Sequence, residues 1–123
     1  IFSVTLPRRS SGRGPATMKK DRLYGTLDAL VLKTLAGGPR HGYSIAKWLE
    51  ETSGDALSIE EGSLYPALYR MEKRGWIEAE RGDSELGRKA KFYRLTRDGR
   101  EQLRVETAEW KAFVAAISDV LLA

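Results

Sequence analysis

The sequence predicts a mainly α-helical fold that carries one small β-hairpin and ends in a helix too long for the rest of the domain. Three observations lead there. Three segments between Thr26 and Arg74 repeat apolar residues at helical spacing. Two short alternating segments then flank a polar loop containing two glycines. The final stretch carries an apolar seam with no partner in the sequence around it.

The first helix is expected over Thr26 to Ala36. Leu27, Leu30, Val31 and Leu35 make its stripe, Thr26 suits an N-cap with Asp28 in the first turn, and Gly37-Gly38-Pro39 stops it. A second helix is expected from about Tyr43 to Thr52, with Ile45, Ala46 and Leu49 inward and Gly54 as terminator. The short glycine-rich connection from Gly37 to Gly42 forces the two to pack closely. The third should run from Gly62 or Ser63 to Arg74, with Gly75 in the place of a C-terminal cap. Pro66 suits a helix only near its start, where no intrahelical N–H is needed. At about 100° per residue, Leu64, Ala67, Leu68 and Met71 share one side, and Ser63, Pro66, Tyr69, Arg70 and Lys73 share the other. One face is core; the opposite face is polar, basic and aromatic.

Trp76 to Arg81 and Lys91 to Leu95 read as strands, with Ile77/Ala79 and Tyr93/Leu95 inward and Gly82 to Ala90 as the hairpin tip. The last helix should start at Thr96, an N-cap followed by Asp98, and reach about Leu121, on the order of 39 Å away. Leu103, Trp110, Phe113, Val114, Ile117, Val120 and Leu121 form its seam at near-heptad spacing. A second copy of the chain is the economical cover, so a two-fold homodimer is expected.

Composition narrows the function. The 123 residues suit one domain, and the absence of cysteine excludes a disulfide framework, a cysteine nucleophile and a thiolate metal site. It also fits a reducing, cytoplasmic compartment. No apolar run approaches the roughly 20 residues of a membrane span, so no membrane partner is expected. The net charge of +4 is misleading: residues 1–22 hold six Lys or Arg against Asp21 alone, while the remainder holds 15 basic and 16 acidic residues. Residues 1–22, with the SSGRGPAT stretch, read as a basic, disordered tail, and Met18 leaves open whether the first seventeen residues are native or an extension. Any case for nucleic acid therefore rests on where charge sits inside the domain. Leu86 to Arg97 is the biased stretch there, with Arg88, Lys89, Lys91, Arg94 and Arg97 and no acid.

The order helix, helix, helix, strand, basic loop, strand, long helix is the winged helix-turn-helix plan. Residues 23–95 would form the DNA-binding domain and 96–123 the dimerisation helix. In that geometry the third helix lies in the major groove and the basic hairpin touches phosphates. The stretches GTLDALVLKTLAGGPRHGYSIAKWLE, EEGSLYPALYRMEKRGWIEAE, KFYRLTRDGREQL and AEWKAF then resemble the PadR family of bacterial transcriptional regulators, in its short acidobacterial-type branch with a single C-terminal helix. The resemblance spans roughly Leu23 to Leu122. It implies a cytoplasmic homodimer that binds a double-stranded, inverted-repeat operator and usually represses. The recognition-helix positions fall on Ser63, Tyr65, Pro66, Tyr69, Arg70 and Lys73, and the wing positions on Arg88, Lys89 and Lys91. It further implies a small aromatic or hydrophobic effector near the dimer interface.

Each feature also has a plainer reading. Arg70 and Lys73 could form a solvated helix face, and Tyr65, at the edge of that face, supports the core or reaches a phosphate. Trp110 is either a packing residue of the seam or, with its symmetry mate, the lining of an effector pocket. Trp48 and Trp76 read as packing residues. His41, the one histidine, has no cysteine or histidine partner for a metal and suits capping of the second helix. Glu60-Glu61 suits the positive end of the third helix. No nucleophile–base pairing or phosphate-cradling glycine loop is present, so no enzyme and no cofactor are expected. The near-neutral charge of residues 23–123 favours a competing reading, a winged-helix module used only for protein association.

Overall fold

Burial of one stripe per helix sets the architecture in the computed structural model, which describes residues 2–4, 26–83 and 89–123. The elements are β1 (Phe2–Val4), α1 (Leu27–Ala36), β2 (Arg40–His41), α2 (Gly42–Thr52), β3 (Leu57–Ile59), α3 (Glu61–Lys73), β4 (Ile77–Asp83), β5 (Lys89–Leu95) and α4 (Arg97–Leu121). Three helices and a small sheet enclose one core: Leu27, Val31, Leu32 and Leu35 from α1, Ile45 and Leu49 from α2, Leu64, Ala67, Leu68 and Met71 from α3, with Ile59, Ile77, Tyr93 and Leu95. The predicted stripe of α3 is reproduced in full. In α1 the stripe is wider than predicted: Leu32 and Thr34 are also buried, and Leu30 is only half-buried. The Thr34 hydroxyl meets its burial cost by donating to the Leu30 carbonyl at 2.8 Å.

The chain stops α2 and α3 by the same device. At the end of α3 the Trp76 N–H donates to the Met71 carbonyl and the Gly75 N–H to Glu72, with Gly75 at φ +78°. At the end of α2 the Asp55 N–H donates to Glu50 and the Gly54 N–H to Glu51, with Gly54 at φ +60°. Both are Schellman closures that need a left-handed residue. Helix α3 begins earlier than expected, which makes Pro66 its sixth residue rather than one of its first. Proline offers no N–H to the Gly62 carbonyl. The position is tolerated because both Gly62 and Pro66 are exposed, where water can satisfy that carbonyl.

The sheet has the order β2-β5-β4, all antiparallel. Ile77 faces Leu95 and Ala79 faces Tyr93 across the hairpin, so the residues predicted inward on one strand lie directly opposite those predicted inward on the other. The hairpin is longer than predicted, its strands reaching Asp83 and Lys89, and a third strand joins it. Arg40 pairs with Tyr93 and His41 with Phe92, so the turn after α1 doubles as an edge strand. Where the sequence suggested a tail without structure, Phe2–Val4 instead pair antiparallel with Leu57–Ile59.

Helix α4 is capped as predicted: the Thr96 hydroxyl accepts from the Gly99 N–H at 3.0 Å and donates to the Gly75 carbonyl at 2.5 Å. Gly99 is needed for another reason. A Cβ there would lie 1.9 Å from the Trp76 carbonyl oxygen, so only a bare backbone lets α4 leave the turn at this angle. The helix spans about 38 Å, and its first half packs on α1. Leu103, predicted as the first seam residue, packs against the core of its own chain. The uncovered seam begins at Trp110. No helix among the described residues is long and apolar enough to cross a membrane.

Candidate nucleic-acid interface

Helix α3 turns Leu64, Ala67, Leu68 and Met71 inward, which leaves Tyr65, Pro66, Tyr69 and Lys73 exposed and Ser63 and Arg70 half-buried. The structure thus brings all six predicted residues of this helix onto its outer surface, in three different situations. Tyr69, 63% exposed, lies under the Lys73 ammonium, 5.2 Å from its ring centroid. This cation–π contact holds a positive charge and an aromatic body on the same outward patch.

Tyr65 answers the question the sequence left open. Its ring covers Gly42 at the start of α2, where a Cβ would come within 2.6 Å of the phenol oxygen. The ring braces α2 against α3 and still remains 44% exposed. It serves packing and surface together.

Arg70 is not a free cation. Its Nη2 lies 2.5 Å from Asp28 Oδ1 on α1, and the two side chains are only 33% and 15% exposed. This pair links the outward helix to the first helix. Sequence reasoning placed Arg70 on the outer face but had no local signal for a partner 42 positions away.

The wing is similarly tied back. Lys91 Nζ is 3.4 Å from Glu72 Oε1 and 5.6 Å from the Tyr93 ring centroid, and Arg94 holds Glu78 at 2.9 Å. Burial raises the Tyr93 phenol above its usual range, an effect the Lys91 charge partly offsets. Both ion pairs are solvent-exposed, so they contribute little stability and exchange readily for another anion. Arg88 lies outside the described residues; Lys89 starts β5.

Periodicity did not select one further exposed aromatic residue. Tyr43, in the first turn of α2, is 69% exposed. Its ring stacks on His41, with centroids 6.3 Å apart and planes 18° apart, and His41 meets Phe92 of β5 edge-on at 5.6 Å. His41 caps α2, its Nδ1 accepting from the Ser44 N–H at 3.2 Å. Trp48 and Trp76 pack against the core, with Arg40 and Arg74 over their rings.

Residues 31–105 match the Transcriptional regulator PadR-like family. "Uncharacterized protein X" of Lysinibacillus sphaericus is 33% identical over 105 residues, covering 85% of this chain and 95% of that one. Among solved structures, a PadR-like transcriptional regulator from Bacillus cereus superposes with a TM-score of 0.74 at 30% identity, over 85% of this chain and 99% of that one. A transcriptional regulator from Clostridium thermocellum gives 0.75 at 28% identity, over 81% and 97% of the two chains.

Proposed function

Because this chain belongs to the PadR-like family of transcriptional regulators, whose members are winged-helix DNA-binding proteins and not enzymes, we propose that it is a cytoplasmic repressor that binds an inverted-repeat operator as a homodimer. The observation that carries this reading is the outer face of α3. Ser63, Tyr65, Pro66, Tyr69, Arg70 and Lys73 line a surface whose opposite side is the core. Such a face entering the major groove presents hydroxyls and one cation to base edges and phosphates. The wing residues Arg88, Lys89 and Lys91 supply backbone contacts beside it, Lys91 exchanging Glu72 for a phosphate.

Dimerisation follows from the far end. Trp110, Phe113, Val114, Ile117 and Leu121 are between 39% and 75% exposed on one helix, an apolar surface that a second α4 would cover in two-fold fashion. The Trp110 and Phe113 rings lie 5.9 Å apart within that seam. They are the residues that would meet a small aromatic or hydrophobic effector at the interface.

Fluorescence anisotropy against a duplex from the gene's own upstream region tests the reading. The expected result is saturable binding of two chains per inverted repeat, weakening steeply with salt. Equal affinity for that duplex and a scrambled one would remove the specificity claim and favour a module used for protein association alone.

A further inference from the structure

We infer that Tyr43 is a further contact to the DNA backbone, its hydroxyl donating to a phosphate beside the groove that α3 enters. This rests on the reading of α3 given above and extends it to a residue of a different helix.

Among the described residues before α4, the large apolar side chains left exposed are Tyr43, Tyr65 and Tyr69. Each carries a hydroxyl donor, and within residues 26–83 and 90–96 no leucine, isoleucine, phenylalanine or tryptophan stands exposed with them. A surface that must meet a polar, anionic partner while contributing contact area would have this composition. Tyr65 covers Gly42, the residue next to Tyr43 in the chain, so the exposed Tyr65 ring of α3 borders the first turn of α2.

Tyr43 is also held in place. Stacking on His41 orients its ring, and His41 is itself fixed twice, by the Ser44 N–H and by the edge of Phe92 on the wing strand β5. A pre-oriented ring loses little freedom on binding, so more of its hydrogen bond appears as affinity. Core packing does not account for a side chain that is 69% exposed.

The chemistry makes a distinctive prediction. A phenol is a neutral donor: its phosphate contact releases no counterion, and it reads no base. Tyr43→Phe keeps the ring and its stacking and removes the hydroxyl alone. The full-length protein would be titrated with a duplex enriched by selection from a random pool, and with a scrambled duplex. Tyr43→Phe removes one such bond from each half-site, and since a hydrogen bond to a charged group is worth about tenfold or more, it should bind both at least about a hundredfold more weakly, with an unchanged slope of log K against log salt. Single methylphosphonate replacements locate the contact. One position per half-site should weaken the native protein and leave Tyr43→Phe unaffected. Native affinity in Tyr43→Phe, or methylphosphonate profiles that coincide at every position, would overturn the assignment of Tyr43 alone. Failure of the native protein to enrich any sequence would instead overturn the reading of α3, and this inference with it.

Discussion

The two ends of the molecule expose apolar surface in different ways. Among the described residues between Thr26 and Thr96 the large exposed apolar ones are all tyrosines, fixed by neighbours: Tyr43 on His41, Tyr65 over Gly42, Tyr69 under Lys73. From Trp110 onward they are Trp, Phe, Val, Ile and Leu, with exposures up to 82% at Leu122. Rings with hydroxyls can face a hydrated, charged partner, whereas bare hydrocarbon gains only by excluding water. Under the proposed function, one end would meet a polar ligand and the other would make a dry contact between copies of the chain.

Breaking the dry end should produce the largest effect. Trp110→Ala removes two large rings, one from each partner, from the proposed two-fold interface. At ~3–5 kcal/mol for each buried aromatic truncated, the two losses together should weaken dimer affinity by at least about 10⁴-fold, while each chain keeps its fold. Sedimentation equilibrium over a concentration series measures this. A variant that dimerises like the native protein would place the interface elsewhere.

Gly99→Ala probes the joint between the two ends. The new methyl group meets the Trp76 carbonyl oxygen, and the repacking should cost about 2–3 kcal/mol. Thermal unfolding should show a midpoint roughly 10 °C lower, and unchanged stability would mean that α4 can shift without cost.

The two basic residues of α3 differ in how they are held: Lys73 lies over Tyr69 at the surface, and Arg70 pairs with Asp28. Lys73→Ala should leave thermal stability unchanged and reduce the salt slope of DNA binding by about one. Arg70→Ala should also destabilise the fold by about 1–2 kcal/mol, because it strands Asp28, only 15% exposed, without its partner. Equal stability of the two variants would show that the Asp28–Arg70 pair contributes nothing.

The smallest effect is expected at Glu106, where α4 passes the rest of the domain. One carboxylate oxygen is buried without a hydrogen-bond partner, and the other accepts from Gln102 at 3.2 Å. Burial raises its pKa, with Asp28 and Glu109 adding to the rise and the Gln102 hydrogen bond and Arg74 opposing it. A carboxyl whose folded pKa is raised favours the fold in its protonated form. That contribution is fully present below the unfolded pKa and is lost as pH rises through the folded one. Glu106→Gln should therefore lose least stability, or gain most, relative to native protein at neutral pH, and this relative advantage should shrink as pH is lowered toward the ordinary carboxylate range. Midpoints measured at fixed protein concentration check this, and a difference independent of pH would contradict it.

The sequence revealed what periodicity and local chemistry encode. The α3 stripe, the Gly54 and Gly75 stops, the Thr96 cap and the inward pairs of the hairpin all follow from residues close together in the chain. What it concealed depends on distant contacts. Arg70 meets Asp28 through the packing of α3 on α1, and Leu103 joins its own core because Gly99 lets α4 pass so near Trp76. Strand β2 arises because β5 offers an edge to a two-residue turn, which no local pattern announces. Tyr43 lies outside the inward stripe of α2, and its place on His41 depends on a ring contact that helical periodicity does not encode.

Dimethyl sulfate protection of the duplex bound at the gene's own upstream region tests whether two α3 helices occupy the major groove, since it reports guanine N7 there. Two protected major-groove segments related by two-fold symmetry, centred about one helical turn apart, are the predicted result. An unprotected major groove at full binding, or a single asymmetric segment, would contradict a dimer that reads DNA with its two α3 helices.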